Sequence, residues 1–360
     1  SGLPKRHSPA VGRSGRTEMT PEQAKRFHRD GYLRVPGIVP REQAMQARRI
    51  LFERMGELRN SARYSLAAKG SGARKALQEA LRASFTANGS DIFLGLFEAT
   101  SLKKVVERAI GNKLVPLRGA QISTLFPGDS GQVTNESGYL NKDTPHNGWT
   151  GHLDGLWNGG TAVPKAGTNI RGRNLSAWRA EPSTNGMART FVEHKCNMHN
   201  FTALVGIALS DQRAEGAGNL GLLRGAHKHM AEFFRSQRDL GGPFGPDGPG
   251  WERENGKAPN HHGLVHYPEA VRRKYLSRSA HGADGHYWPR PDFMKLNIGD
   301  AVIVHFSTPH SASLVTSGSE PRLMVYFRCT SSARDERTLS IYPEALCDSL
   351  LEWRGVRRML

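Results

Sequence analysis

The chain is short of cysteine, of long apolar runs and of acidic residues. Its three cysteines, Cys196, Cys329 and Cys347, are scattered and odd in number. That excludes a disulfide framework and a Cys-x-x-Cys zinc site, and makes a reducing compartment the default. No uninterrupted apolar stretch approaches the roughly 20 residues a membrane-spanning helix needs. Residues 1–18 lack the apolar run of a secretory signal. The expectation is an intracellular, cytoplasmic protein without a membrane span. Asp and Glu number 33 against 50 Lys and Arg, a formal net charge of +17. Such a field attracts anions: nucleic acid, an anionic membrane, or a carboxylated or phosphorylated small molecule. The cations are dispersed rather than gathered in one run, so a solvated basic surface is the plainer explanation.

What the chain does have is enough apolar material for a core: 37% of its 360 residues are hydrophobic, which rules out wholesale disorder. Residues 1–18, basic and rich in Gly, Ser and Pro, read as a flexible leader. Thr20-Pro21-Glu22-Gln23 combines an N-cap, a proline at the first helical position and a capping box. A helix therefore starts there and stops near Gly31, and a short strand follows at 32–35. A second helix runs from about Pro40 to Leu58. Others are expected at 72–85 and 101–110, the last capped by Ser101 with Leu102, Val105, Val106 and Ala109 on one face. From residue 114 the character becomes strand-like, at 114–126, 200–210, 301–306 and 323–329. Two irregular insertions, 155–195 and 240–290, are long enough to be lids or binding loops.

Most of the 15 histidines carry no chemistry by themselves; the ones that matter stand in a ligand arrangement. His152-Leu153-Asp154 puts an imidazole and a carboxylate at i and i+2, side by side on an extended segment. With a third ligand they form the two-His-one-carboxylate set of non-haem Fe(II) oxygenases, which leaves positions open for co-substrate and oxygen. Well downstream, a Gly299-Asp300 turn feeds an apolar strand, His310 falls at its end, and Arg322 leads the next strand. A guanidinium there can grip a carboxylate through paired hydrogen bonds. His305 is the rival third ligand, although a histidine inside a strand is as readily a packed core residue. His194, His199, His261 and His262 are expected not to be ligands.

Taken in order, these motifs resemble the phytanoyl-CoA dioxygenase-like branch of the Fe(II)/2-oxoglutarate-dependent oxygenases. Three stretches carry the resemblance. Met19-Thr20-Pro21-Glu22-Gln23 through Arg29-Asp30-Gly31-Tyr32-Leu33 looks like the helix-then-strand entry of that family. Ile207-Ala208-Leu209-Ser210-Asp211, with Gly218-Asn219-Leu220 and Gly225-Ala226-His227, resembles its Gly-x-Leu and Pro-Gly-Ser-His signature. The Gly-Asp, His, Arg succession is the third. The resemblance runs over about residues 19–330. It implies a fold that is mainly β with helical support: a double-stranded β-helix (a cupin-like jelly roll) buttressed by N-terminal helices. The expected division is a single domain over 19–360, helical at 19–112, with a jelly-roll core at 113–330 and a C-terminal segment at 331–360. The insertions then lie over the core like lids.

The same resemblance implies Fe(II) held by His152, Asp154 and His310, with O2 and 2-oxoglutarate as co-substrates and Arg322 on the distal carboxylate of the latter. Gln121 and Ser123, alternate residues on the strand before the metal motif, are candidates for its near end. Trp157 and Asn158, opening the first insertion, are expected on the substrate side. The chain departs from the family pattern in three places. Gly151 precedes the first histidine where Trp is usual, with Trp149 two residues earlier. Arg224-Gly225-Ala226-His227 replaces Pro-Gly-Ser-His, and the first insertion is long. A carboxylate at Asp154, where related halogenases have a small residue, favours hydroxylation or a related oxidation. The expected partner is a small organic substrate, with the basic charge leaning towards an anionic one. The competing readings are oxidation of a nucleic-acid base, drawing on Arg171, Arg173, Trp178 and Arg179, and a metal-binding member of the fold without turnover.

Overall fold

The computed structural model describes all residues except 1–17, 60–90, 118, 128–143, 155, 158–168, 171–172, 175–197, 242–243, 246–247, 252–263, 266, 283–284, 286, 335–340 and 342. The leader apart from Glu18, the expected helix at 72–85, and Asn158, Arg171, Trp178, Arg179, His194, Cys196, His261 and His262 therefore lie outside the described residues. The side chains of Trp157, Arg173 and His199 do too, although their backbones form short strands.

Every sheet pairing in the described chain is antiparallel. The larger sheet has five strands, in the order Tyr32–Val35, Ala301–His305, Ala203–Ala208, Arg322–Cys329 and Gln121–Leu125. A smaller one orders Asp292–Phe293, Leu220–Leu222 and His310–Ala312. It continues through a bridge between His310 and His152 to Leu153–Asp154 and its partner Leu264–Val265.

Alternation along the strands sends successive side chains to opposite faces, and the two faces of the larger sheet meet different cores. Val205, Ile207, Ala301, Ile303, Leu323, Val325 and Phe327 face a core shared with the helices, including Phe27, Leu51, Phe97 and Val106. Leu204, Ala208, Val302, Val304, Met324 and Tyr326 face the smaller sheet and pack with Leu220 and Leu222. The edges of the two sheets are joined by a hydrogen bond from the Tyr32 hydroxyl to the Asp292 carboxylate. Arg224 (2.5 Å) and Arg278 (3.2 Å) reach the same carboxylate, so part of the excess of cations is spent on holding this seam.

The helices follow their local signals. Pro21–Asp30 starts at the expected capping box: Gln23 N donates to Thr20 Oγ1 (3.2 Å), and Thr20 N donates to Gln23 Oε1 (2.9 Å). The second helix is Arg41–Arg59. Helix Ser101–Ile110 buries Leu102, Val105, Val106 and Ala109 as expected, but its cap is Thr100 rather than Ser101. Thr100 has the extended backbone a cap requires, and its hydroxyl accepts from Leu102 N at 3.3 Å. The strands at 114–126 and 200–210 are shorter than expected, Gln121–Leu125 and Ala203–Ala208, because they end where their neighbours stop pairing. Among the described residues, no helix is long and apolar enough to cross a membrane.

Candidate metal centre

The candidate site is assembled at the His152–His310 bridge. His152 N donates to His310 O (3.1 Å) and His310 N donates to His152 O (3.0 Å), so the two residues sit directly opposite each other. Opposed residues in an antiparallel pair project to the same face, and the two rings lie 4.8 Å apart between centroids. Asp154, two residues along, joins them on that face, with Oδ1 3.7 Å from His152 Nε2. All three residues are buried, and one donor atom from each lies within 4.8 Å of the others. The spacing of His152 and Asp154 is local; the sheet register is what sets His310 opposite His152.

His310 and Asp154 are held from behind, and His152 is placed by the way the chain enters it. His310 Nδ1 lies 2.9 Å from Thr308 O. A carbonyl can only accept, so Nδ1 carries the proton and Nε2 keeps the lone pair that binds a metal. The backbone oxygen of Asp154 accepts from Asn200 Nδ2 at 2.7 Å. Before His152 the chain turns at Gly151, whose φ of +73° is left-handed; a Cβ there would lie 2.6 Å from the Trp149 ring. Trp149 is fully buried and donates from Nε1 to Gly221 O (3.0 Å), on the middle strand of the smaller sheet. The displaced tryptophan therefore anchors the entry of the metal segment from below.

His305 is elsewhere. It shares the odd-numbered face of its strand with Ala301 and Ile303, against the helices, and stacks on Trp353 (5.6 Å) and Phe306 (4.4 Å). Its Nε2 donates to Ser349 O at 2.7 Å, and its Nδ1 accepts from Ser307 N at 3.1 Å. Both nitrogens are engaged, and burial lowers its pKa to about 4. It is a packed core histidine.

Arg322 opens the Arg322–Cys329 strand on the face that looks at the smaller sheet, and it is 2% exposed. Nη1 donates to Ser123 Oγ (2.8 Å) and Nη2 to the Tyr326 hydroxyl (2.5 Å). The other buried arginines have carboxylates: Arg334 pairs with Glu352 at 2.6 Å and Arg272 with Glu269 at 2.6 Å. Arg322 has none among the described residues, and its Nε has no hydrogen-bond partner. A buried cation held only by hydroxyls is costly unless an anion joins it.

Ser123 therefore touches the guanidinium, and Gln121 touches a second one: Arg328 Nη1 donates to Gln121 Oε1. Arg328 and Tyr326 are the residues that sequence reasoning missed. The signal was the period of two on this strand, which puts 322, 324, 326 and 328 on one face.

A buried face with two imidazoles and one carboxylate fits a first-row divalent cation such as Fe(II) and covers only one side of it. A buried guanidinium without a carboxylate among the described residues, on the strand that faces the smaller sheet, fits a carboxylate ligand. No family model matches the chain, and no curated protein matches it. Solved structures do. The non-heme alpha ketoglutarate dependent epimerase SnoN from nogalamycin biosynthesis is 16% identical, with 86% of this chain and 80% of that one covered at a TM-score of 0.41. Apo HygX from Streptomyces hygroscopicus is 16% identical, covering 88% and 87% at 0.40. The non-heme alpha ketoglutarate dependent carbocyclase SnoK from nogalamycin biosynthesis is 13% identical, covering 87% and 88% at 0.41. HygX has also been solved with nickel, 2-oxoglutarate and hygromycin B bound.

Proposed function

We propose that this chain is a non-haem Fe(II)- and 2-oxoglutarate-dependent dioxygenase of the phytanoyl-CoA dioxygenase-like type, acting on a small organic substrate. Residues 19–360 then form one domain whose facing sheets are the two halves of a jelly roll. The observation that carries the reading is Arg322, a buried guanidinium with no carboxylate beside it among the described residues, on the strand face that also carries Arg328, whose guanidinium contacts Asp154 of the His-Asp-His set. Each half calls for a partner, a cation in one case and an anion in the other, and 2-oxoglutarate on Fe(II) satisfies both at once.

His152, Asp154 and His310 would hold the ion on one side and leave the other side for ligands. Thr308 fixes the His310 tautomer through its carbonyl. Arg322 would take the distal carboxylate, with Ser123 and Tyr326 holding the guanidinium in place. Ser123 in this reading works through Arg322 rather than on the near end of the co-substrate. Fe(II), when bound, supplies the coupling of 2-oxo acid decarboxylation to oxidation of a C–H bond. In the balance, 2-oxoglutarate, O2 and R–H become succinate, CO2 and R–OH. Asp154 fills the position that a halide would need, which favours hydroxylation over halogenation.

The test is succinate formation from 2-oxoglutarate under Fe(II), run against acids, amino acids and CoA esters as candidate substrates. Asp154→Ala is expected to abolish it. Equal succinate from wild type and Asp154→Ala would sink the assignment.

A further inference from the structure

Asp154 has two oxygens, and the fold treats them differently. Oδ1 is the one 3.7 Å from His152 Nε2, on the side of the ligand face. Oδ2 lies 3.2 Å from Nη2 of Arg328. Arg328 stands six residues beyond Arg322 on the same face of the strand, and its fork is divided: Nη1 goes to Gln121 Oε1 and Nη2 to Asp154. Its guanidinium carbon sits 5.7 Å from the centre of the Phe201 ring. The residue next to that ring, Asn200, ties down the Asp154 main chain. The head of Arg328 is thus fixed on three sides: by an amide, an aromatic face and the carboxylate it contacts.

We propose that Arg328 is a positioning residue that keeps Asp154 a one-oxygen ligand. This rests on the function proposed above. A carboxylate free to turn can close on a cation with both oxygens and take up a further coordination position. In an octahedral site, three positions go to the protein and two to a chelating 2-oxo acid, so one remains for oxygen. Holding Oδ2 on Arg328 keeps that position open. Gln121, placed by the sequence on the near end of the co-substrate, acts instead by setting the angle of the Arg328 fork. Arg322 and Arg328 lean toward each other along the strand, on either side of Tyr326, and divide the work: one faces the anion to be bound, the other the ligand already in the protein.

The test reads the open position directly and needs no turnover. Mn(II) is titrated into the full chain with saturating 2-oxoglutarate, and water-proton relaxation reports exchangeable water on the metal. Wild type is expected to keep a water and show enhancement. Arg328→Met frees Oδ2, and the enhancement per bound Mn(II) should fall at least about twofold as the carboxylate closes. Thermal melts confirm that the variant is folded. If Arg328→Met does not fold, Gln121→Leu decides, since it releases the fork without removing the charge, and the same fall is expected. Undiminished enhancement in the deciding variant, with Mn(II) bound, overturns the role of Arg328 alone. Failure of wild type to bind Mn(II), with Asp154→Ala no different, overturns the underlying function instead.

Discussion

A guanidinium taken out of water needs an anion or a full set of acceptors, and Arg322 has only two hydroxyls. Arg322→Met should therefore leave the thermal midpoint of the ligand-free protein unchanged or higher. The same variant should raise the 2-oxoglutarate needed for half-maximal succinate release by about 30-fold or more, equivalent to ~2 kcal/mol. A lower midpoint with an unchanged requirement would assign Arg322 to the scaffold. His305 and His227 are a buried pair, 5.1 Å apart between ring centroids, and both are held neutral chiefly by burial. Their folded pKa values lie below the unfolded value, to about 4 for His305. Below about pH 6.5 the unfolded chain therefore binds protons that the native state refuses. Stability should fall as pH drops from about 6.5 toward 4, by up to about 1.4 kcal/mol per pH unit from His305, and His227 acts in the same direction. Urea midpoints at pH 7, 6 and 5 should show this slope, and His305→Gln should flatten it. At this scale the sequence revealed His152 and Asp154 through their spacing, and His310 and Arg322 through their order. The period of two put Arg328 on the face of Arg322, but its partners, 174 and 207 residues away, were not legible.

At the scale of elements, two strands decide the site. The Arg322–Cys329 strand puts an apolar row against the helices and Arg322, Tyr326 and Arg328 on the other side. Its β-branched and aromatic content made it readable. The short strand carrying Asp154 was not readable as a strand, because it exists only through pairing with Leu264–Val265 and the bridge to His310. Gly151 sets the angle at which that segment arrives. Gly151→Ala should lower unfolding free energy by ~2–4 kcal/mol, since it combines a left-handed φ with a collision into Trp149. Weaker Mn(II) binding should accompany it as His152 tilts away from His310. Denaturant unfolding and metal titration of the same variant check both. Helix Ala226–Asp239 escaped notice for a different reason: it begins at Gly225, which offers no capping side chain, although Ala226, Met230, Phe234 and Gln237 do repeat at helical spacing.

Over the whole molecule, the five-stranded sheet separates two jobs. One side is an apolar core shared with helices; the other carries the polar face of the candidate site. Trp353 completes the first from the far end of the sequence, fully buried and 4.2 Å from the Phe27 ring between centroids. Trp353→Ala should cost about 3–5 kcal/mol in urea unfolding. Because it lies across the sheet from the ligand face, metal binding by the fraction that stays folded should be unchanged. The edge strand Tyr32–Val35 finds its partner in residues 301–304, so residue 304 must leave the ribosome before that edge of the sheet can close. Until then the apolar side chains of that edge strand have no sheet partner to cover them.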